Sequence, residues 1–274
     1  NHPRYTFVEG DICDKETVFH FVQQVDAVIN FAAESHVDNS LDGPEVFMTT
    51  NIIGTLNLLH AAKKFHIKRF LQISTDEVYG SLHKESAHEE FMLKPSSPYS
   101  VSKTAADLLV RSYIVSHGLP AIITRSSNNF GPYQYPEKMI PLFITNLLED
   151  KKVPLYGDGK NIRDWIYVQD NCEAIDFVFH NGVIGEIYNI GGGNEKSNIE
   201  LTNLILSLAG KTTDSIEYVA DRPGHDRRYS LDSTKISHLG WKPKFEFDES
   251  MRSTIDWYKN NAVWWKKLKA RRSQ

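Results

Sequence analysis

The 274-residue sequence predicts an α/β fold, a doubly wound parallel sheet followed by a smaller α+β lobe. Strand-like and helix-like segments alternate through the first two thirds of the chain, the pattern of a parallel sheet covered on both faces. Beyond Gly131-Pro132 the alternation loosens into short strands and scattered helices. Residues 1–132 are therefore read as the sheet domain and 133–274 mainly as the second lobe, with some segments returning to the sheet.

Each element has a local reason. Tyr5-Thr6-Phe7-Val8 reads as a short strand, because aromatic and β-branched residues run into Gly10-Asp11. Residues 17–24 read as a helix, and the nearly continuous apolar run 27–31 as a buried strand. Over residues 44–65, Val46, Phe47, Ile52, Ile53, Leu56, Leu59 and Ala62 recur at helical spacing, which predicts one long helix. Residues 69–74 form the next strand, 100–117 a helix stopped by Gly118, and 120–125 a further strand. In the second lobe helices are expected at 139–148, 171–180, 198–208 and 250–260, with strands at 153–156 and 165–168. The basic tail 266–272 reads as a solvated helix end.

Composition excludes several classes of function. Hydrophobic residues at 41% and charged residues at 24% are ordinary for a globular chain, and a net charge of −4 argues against nucleic-acid and membrane partners. No apolar run approaches the roughly 18 residues that span a bilayer. The two cysteines, Cys13 and Cys172, suggest no disulfide framework and fit a reducing cytoplasm. The histidines show no metal-ligand spacing, so no metal is expected.

Two clusters carry chemistry. Tyr99 and Lys103 lie four residues apart on a predicted helix, so phenol and ammonium share a face. A free tyrosine, with a pKa of about 10, is a poor base at neutral pH, and a neighbouring ammonium favours its phenolate. Alone, that spacing also fits an amphipathic surface pair. The strand 69–74 leads directly into Thr75-Asp76-Glu77-Val78-Tyr79-Gly80, which puts polar and acidic groups where open α/β sheets bind ligands. Adjacent carboxylates can serve as acid and base only if their surroundings push their pKa values apart. An isolated Asp-Glu pair fits a solvated turn equally well; with Tyr99 and Lys103 downstream, the chemical reading is preferred.

Five segments resemble the dTDP-glucose 4,6-dehydratases of the extended short-chain dehydrogenase type. They are Phe31-Ala32-Ala33-Glu34-Ser35-His36-Val37-Asp38, Ile73-Ser74-Thr75-Asp76-Glu77-Val78-Tyr79-Gly80, Ser126-Ser127-Asn128-Asn129-Phe130-Gly131-Pro132-Tyr133-Gln134, Lys138-Met139-Ile140-Pro141-Leu142 and Asp221-Arg222-Pro223-Gly224-His225-Asp226. The resemblance implies a Rossmann-like fold, NAD as cofactor, dTDP-glucose as substrate and a homodimer formed through helices 44–65 and 100–117. It assigns Tyr99 the 4-hydroxyl proton, Lys103 the phenolate and nicotinamide ribose, and Thr75 the 4-oxygen. Glu77 would remove the C5 proton and Asp76 protonate the departing 6-hydroxyl; hydride would then return to C6 and a proton to C5, leaving a 4-keto-6-deoxy sugar. A 4-epimerase needs the tyrosine, lysine and Ser/Thr, but performs no elimination and has no use for the carboxyl pair.

By the same resemblance, Asp11 and Ile12 would meet the adenine, with a plain strand-end turn as the alternative reading. Phe31, Ala32 and Ala33 would lie under the cofactor, and Ser35, Thr50 and Asn129 would be further contacts near it, Ser35 also near the sugar. Asn128, Lys138, Leu142, Pro154, Tyr156, Arg163, Asn198, Arg222 and His225 would hold the sugar nucleotide. Arg163 and Arg222 suit a diphosphate, although Arg163-Asp164 also reads as an internal ion pair.

One departure stands out. The family opens with a strand, a glycine-rich turn and a helix, and nothing of that form occurs here; about 50 residues are expected to be missing upstream of Asn1. Without them the isolated chain is expected to have unpaired strand edges, bind NAD poorly and be unstable. Gly191-Gly192-Gly193 lies too far downstream, between a strand and Asn194-Glu195, to serve as that turn.

Overall fold

The computed structural model describes residues 2–272. The chain forms two compact units, one of Asn1–Ser74, Ser97–Thr124 and Gly182–Ile187, the other of Thr75–Ser96, Arg125–Asn181 and Tyr188–Gln274. The second takes the larger share, because it includes the segment following residue 74 and the ends of two strands.

In the first unit, α1 (Lys15–Val22) is capped by the Asp14 carboxylate, which accepts from the N–H groups of Glu16 and Thr17. Strand β1 (Ala27–Asn30) pairs in parallel with β2 (Arg69–Thr75), from Ala27 opposite Arg69 to Asn30 opposite Gln72. Short helices α2 (Val37–Asp42) and α3 (Pro44–Phe47) lead through a π-helical segment, Met48–Gly54, into α4 (Thr55–Lys64). Helix α5 (Pro98–His117) opens on a capping box between Ser97 and Ser100, with Pro98 in its first turn, and stops at Gly118 in the left-handed conformation (φ 62°). Strand β3 (Ala121–Ser126) follows. Val18, Leu59, Ala62, Phe70, Val110 and Ile123 are at the centre of this unit's core.

The second unit begins with a 3₁₀ turn, Asp76–Tyr79. It continues with β4 (Asn128–Phe130), α6 (Met139–Leu148), β5 (Val153–Tyr156), β6 (Ile162–Tyr167) and α7 (Val168–Asn181). After β7 (Ile187–Ile190) and β8 (Glu195–Ser197) come α8 (Asn198–Leu208), β9 (Ile216–Val219), α9 (Thr234–Leu239), α10 (Phe247–Asn260) and α11 (Ala262–Arg272). Strand order is β1-β2-β3-β7 in the four-stranded sheet and β4-β6-β8 in a three-stranded one, while β5 pairs with β9. Phe130, Ile144, Leu201, Ile205, Met251, Tyr258 and Trp265 are packed in one buried cluster. Among the described residues no helix is long and apolar enough to cross a membrane.

Three sequence expectations are corrected. Residues 5–8 are not a strand: Tyr5 is 68% and Phe7 73% exposed, and the segment pairs with no described strand. Propensity alone does not hold an extended segment that lacks a ladder partner. The β1 region is not buried throughout, since β1 lies at the sheet's edge, with Ile29 39% and Phe31 58% exposed. The helix over 44–65 is not uniformly α-helical, because the π segment interrupts it. Within that segment Asn51 is buried and bonded outside the helix.

Candidate active site

In the first unit, Tyr99 sits in the first turn of α5 and is 8% exposed. Its N–H donates to Ser40 Oγ at 3.2 Å, and its ring meets Phe47 edge-to-face with 6.3 Å between centroids. Lys103 is 5% exposed one turn later. Its ammonium donates to the Ile73 carbonyl at 2.7 Å, and burial brings its pKa down to about 8 against the opposing pull of Asp107.

The segment after β1 is held from beneath. Ala32 N–H donates to Asn30 Oδ1 at 3.1 Å. Asn51 accepts from Glu34 N–H (2.9 Å) and donates to the Glu34 carbonyl (3.0 Å) and to Ser102 Oγ (2.8 Å). Ser102 Oγ donates in turn to the Tyr99 carbonyl at 2.7 Å. Asn51 and Ser102 thus tie the Glu34 backbone, just beyond Ala32–Ala33, to the helix of Tyr99 and Lys103. Sequence reading missed both, although an asparagine inside an apolar helical run is a usable signal. Phe31, Ala32 and Ser35 are exposed, and Ala33 is half-buried. Asp11 forms an Asx turn, accepting from Cys13 N–H at 2.8 Å, and Asn57 clamps the Ile12 and Cys13 carbonyls at 3.1 Å each. Ile12 and Thr50 are half-buried, and Gly54 is required where it is, since a Cβ there would lie 2.5 Å from Ile12 Cδ1.

In the second unit, Thr75, Asp76 and Glu77 occupy the start of the 3₁₀ turn. Thr75 Oγ1 donates to Asp76 Oδ1 at 3.2 Å and accepts from Glu77 N–H at 3.3 Å. Asp76 is 3% exposed, and its Oδ2 has no protein partner. Burial, then the charge of Glu77, pushes the Asp76 pKa well above the usual carboxylate range, with Arg163 opposing. Burial also raises Glu77, but three cations, Arg163, Arg222 and Lys138, pull it back. The pair is therefore unequal: Asp76 is the better proton donor and Glu77 the better base.

Arg163, 5% exposed on β6, donates to the Asp226 carbonyl at 2.9 Å, and its guanidinium lies 4.1 Å from the Tyr229 ring centroid. It forms no ion pair with Asp164. Successive strand residues face opposite ways, and Asp164 instead accepts from Gly192 N–H (2.9 Å) and Asn194 N–H (2.7 Å). That contact explains the glycine cluster: a Cβ on Gly192 would lie 2.0 Å from the Trp165 carbonyl oxygen. Tyr229 went unnoticed in the sequence, and Asp226 was read only as the end of the Asp221–Asp226 motif, with no role of its own. The Tyr229 hydroxyl donates to Asp226 Oδ2 at 2.6 Å and lies 3.5 Å from Glu77 Oε2, while Ser96 Oγ donates to the same Asp226 oxygen.

The remaining positions surround this turn less directly. Asn128 and Asn129 on β4 and Asn198 at the start of α8 each keep a buried side-chain oxygen without a protein partner. Arg222 is half-buried, its N–H donating to Asp221 Oδ1 at 2.9 Å. His225 Nδ1 lies 2.6 Å from the same oxygen, and its ring meets Tyr156 at 6.2 Å. Burial, then Arg222, lowers the His225 pKa. Lys138 and Leu142 at the start of α6, and Pro154 on β5, are half-buried.

Known proteins extend this description. A sequence model of the GDP-mannose 4,6 dehydratase family matches residues 1–254. The chain is 53% identical to the low-salt glycan biosynthesis protein Agl12 of Haloferax volcanii, over 94% of this chain and 83% of that protein. It is 50% identical to the dTDP-glucose 4,6-dehydratase of Streptomyces antibioticus, over 98% of this chain and 81% of that enzyme. The dTDP-glucose 4,6-dehydratase of Streptomyces venezuelae, solved with NAD and TYD bound, superimposes with a TM-score of 0.96 at 48% identity, covering 97% of this chain and 83% of that one. The chain belongs to the GDP-mannose 4,6 dehydratase family and is similar within it to dTDP-glucose 4,6-dehydratases.

Proposed function

We propose that the natural protein carrying this chain is an NAD-dependent dTDP-glucose 4,6-dehydratase. The observation that carries the reading is the unequal carboxyl pair on one turn, Asp76 raised by burial and by its neighbour's charge and Glu77 raised by burial but drawn back by three cations. Elimination of water across C5–C6 needs one group of each kind. An epimerase needs neither.

The residues of the first unit fit the cofactor. Ala32 and Ala33 bring nothing beyond Cβ, so a flat ligand can approach the backbone, and Asp11 is exposed on its turn. Ile12, Phe31, Ser35, Thr50 and Lys103 complete this set. NAD when bound supplies the hydride acceptor and donor. Tyr99 takes the 4-hydroxyl proton as C4 is oxidised, Lys103 favours the phenolate, and Thr75 hydrogen-bonds the 4-oxygen. The C4 ketone acidifies the C5 proton; Glu77 removes it, and Asp76 protonates the leaving 6-hydroxyl as water, after which hydride returned to C6 and a proton returned to C5 give the 4-keto-6-deoxy sugar. In the second unit Arg163 and Arg222 bind the diphosphate, with Asn128, Asn198 and His225 beside them. Lys138, Leu142, Pro154 and Tyr156 line the pocket for sugar and base.

A homodimer through the first unit's helices is part of this reading. Val101 (43% exposed), Leu108 (53%) and Val115 (79%) recur every seven residues on α5, an apolar stripe suited to a second copy. The free thiols Cys13 and Cys172 fit a cytoplasmic setting.

Incubation of the full-length protein with dTDP-glucose is expected to yield a 4-keto-6-deoxy product, read by its alkali-dependent absorbance. Asp76→Asn or Glu77→Gln should each lower kcat by about 10²–10⁴-fold; wild-type turnover without that product would overturn the reading. Asp76 also predicts a pH signature. Its folded pKa is raised, so folded and unfolded states are both protonated below about pH 4. Above that pH the folded state resists ionisation, and stability falls as pH climbs toward the folded pKa. Asp76→Asn should therefore raise Tm at pH 8 and leave it nearly unchanged at pH 4, as thermal scans would show. Leu108→Glu should convert a dimer to monomer in light scattering.

A further inference from the structure

The turn carrying Asp76 and Glu77 ends in Tyr79, a residue with no place in the chemistry above. Tyr79 is 1% exposed, and its hydroxyl is held from two strands. It donates to Asn189 Oδ1 on β7 at 2.8 Å and accepts from Arg125 Nη1 on β3 at 2.9 Å. The Arg125 guanidinium also lies 4.9 Å from the Tyr79 ring centroid, and Arg125 is 3% exposed. A second layer ties these groups to one loop. Arg125 Nη1 donates to the Glu89 carbonyl (3.1 Å), Asn189 N–H donates to Glu89 Oε1 (2.9 Å), and Asn189 Nδ2 donates to the carbonyls of Ala87 (2.8 Å) and Asp232 (3.2 Å).

The backbone of the turn is restrained at the same end. Lys94 N–H donates to the Val78 carbonyl at 3.0 Å. Gly80 adopts φ +71°, and a Cβ there would lie 2.1 Å from the Lys94 carbonyl oxygen. Nothing comparable grips the carboxyl of Asp76, which accepts from its neighbour Thr75 at 3.2 Å and whose Oδ2 has no protein partner. The fixed point of this turn is thus the phenol, two residues beyond Glu77.

We infer that Tyr79, held by Arg125 and Asn189, is a positioning residue for the elimination step, fixing the turn so that the Asp76 and Glu77 carboxyls meet C6 and C5. The inference rests on the dehydratase reading. It concerns the elimination step, because the C4 oxidation uses Tyr99 and Lys103 on α5 and Thr75, which is the last residue of β2 and precedes the Asp76–Tyr79 turn. Slowing elimination while leaving oxidation intact makes the oxidised sugar and reduced nicotinamide build up between the two steps. A residue that only stabilises the fold would not divide the reaction in this way.

The test is Tyr79→Phe in the NAD-loaded full-length protein, which keeps the ring and removes the hydroxyl. With dTDP-glucose, kcat should fall about tenfold with KM unchanged, and the near-ultraviolet absorbance of reduced nicotinamide should accumulate in single turnover. Arg125→Lys, which leaves Tyr79 in place, should give the same accumulation and serves if the first variant does not fold. Ile255→Val, in the α10 core, is the comparison that loses stability without this absorbance. A fall in kcat with no reduced cofactor, or normal kcat with only a lowered Tm, would overturn the assignment. Absence of product from the wild type would instead refute the dehydratase reading and this inference with it.

Discussion

The second unit is organised around the burial of two adjacent carboxyl groups in a single turn. A buried, unpaired carboxylate costs several kcal/mol, and two side by side repel. The chain meets this by making the neighbours unlike. Asp76 has Thr75 and no cation in hydrogen-bonding contact, so it favours the neutral form. Glu77 feels Arg163, Arg222 and Lys138, which support its charge. One short turn thereby offers both a proton and a place to put one.

The first unit solves a different problem, that of holding a phenol and an ammonium in place on one helix. A capping box fixes the start of α5, Ser40 holds the Tyr99 N–H, and a carbonyl takes Lys103. Asn51 reaches from the π-helical segment to both the Glu34 backbone and Ser102. The first unit therefore holds the segments of Tyr99 and Lys103 with buried neutral polar side chains, which position without adding net charge.

Much of this was legible from residue order. Helices 139–148 and 198–208 and strand 153–156 fall where periodicity puts them, the second helix aided by the Ser197–Glu200 capping box. The Tyr99/Lys103 spacing and the Asp76-Glu77 pair were visible too, but their burial, which sets their chemistry, was not. Tyr5–Val8 misled because local propensity says nothing about whether a neighbouring strand exists. The π segment has no signature in a 3.6-residue period. Tyr229 and Asn189 escaped notice, and Asp226 was given no role of its own, because partners of each lie far away in sequence, as with Asn189 and Tyr79, 110 residues apart. The Arg163-Asp164 ion pair failed on strand alternation, which sequence inspection could have applied.

The account depends on oxidation at C4 and elimination across C5–C6 belonging to one turnover. The most direct measurement follows deuterium placed at C4 of dTDP-glucose. If hydride taken from C4 is returned to C6 in that turnover, the label should appear at C6 of the 4-keto-6-deoxy product, within the same molecule. Label retained at C4, or released to solvent without C6 enrichment, would contradict it.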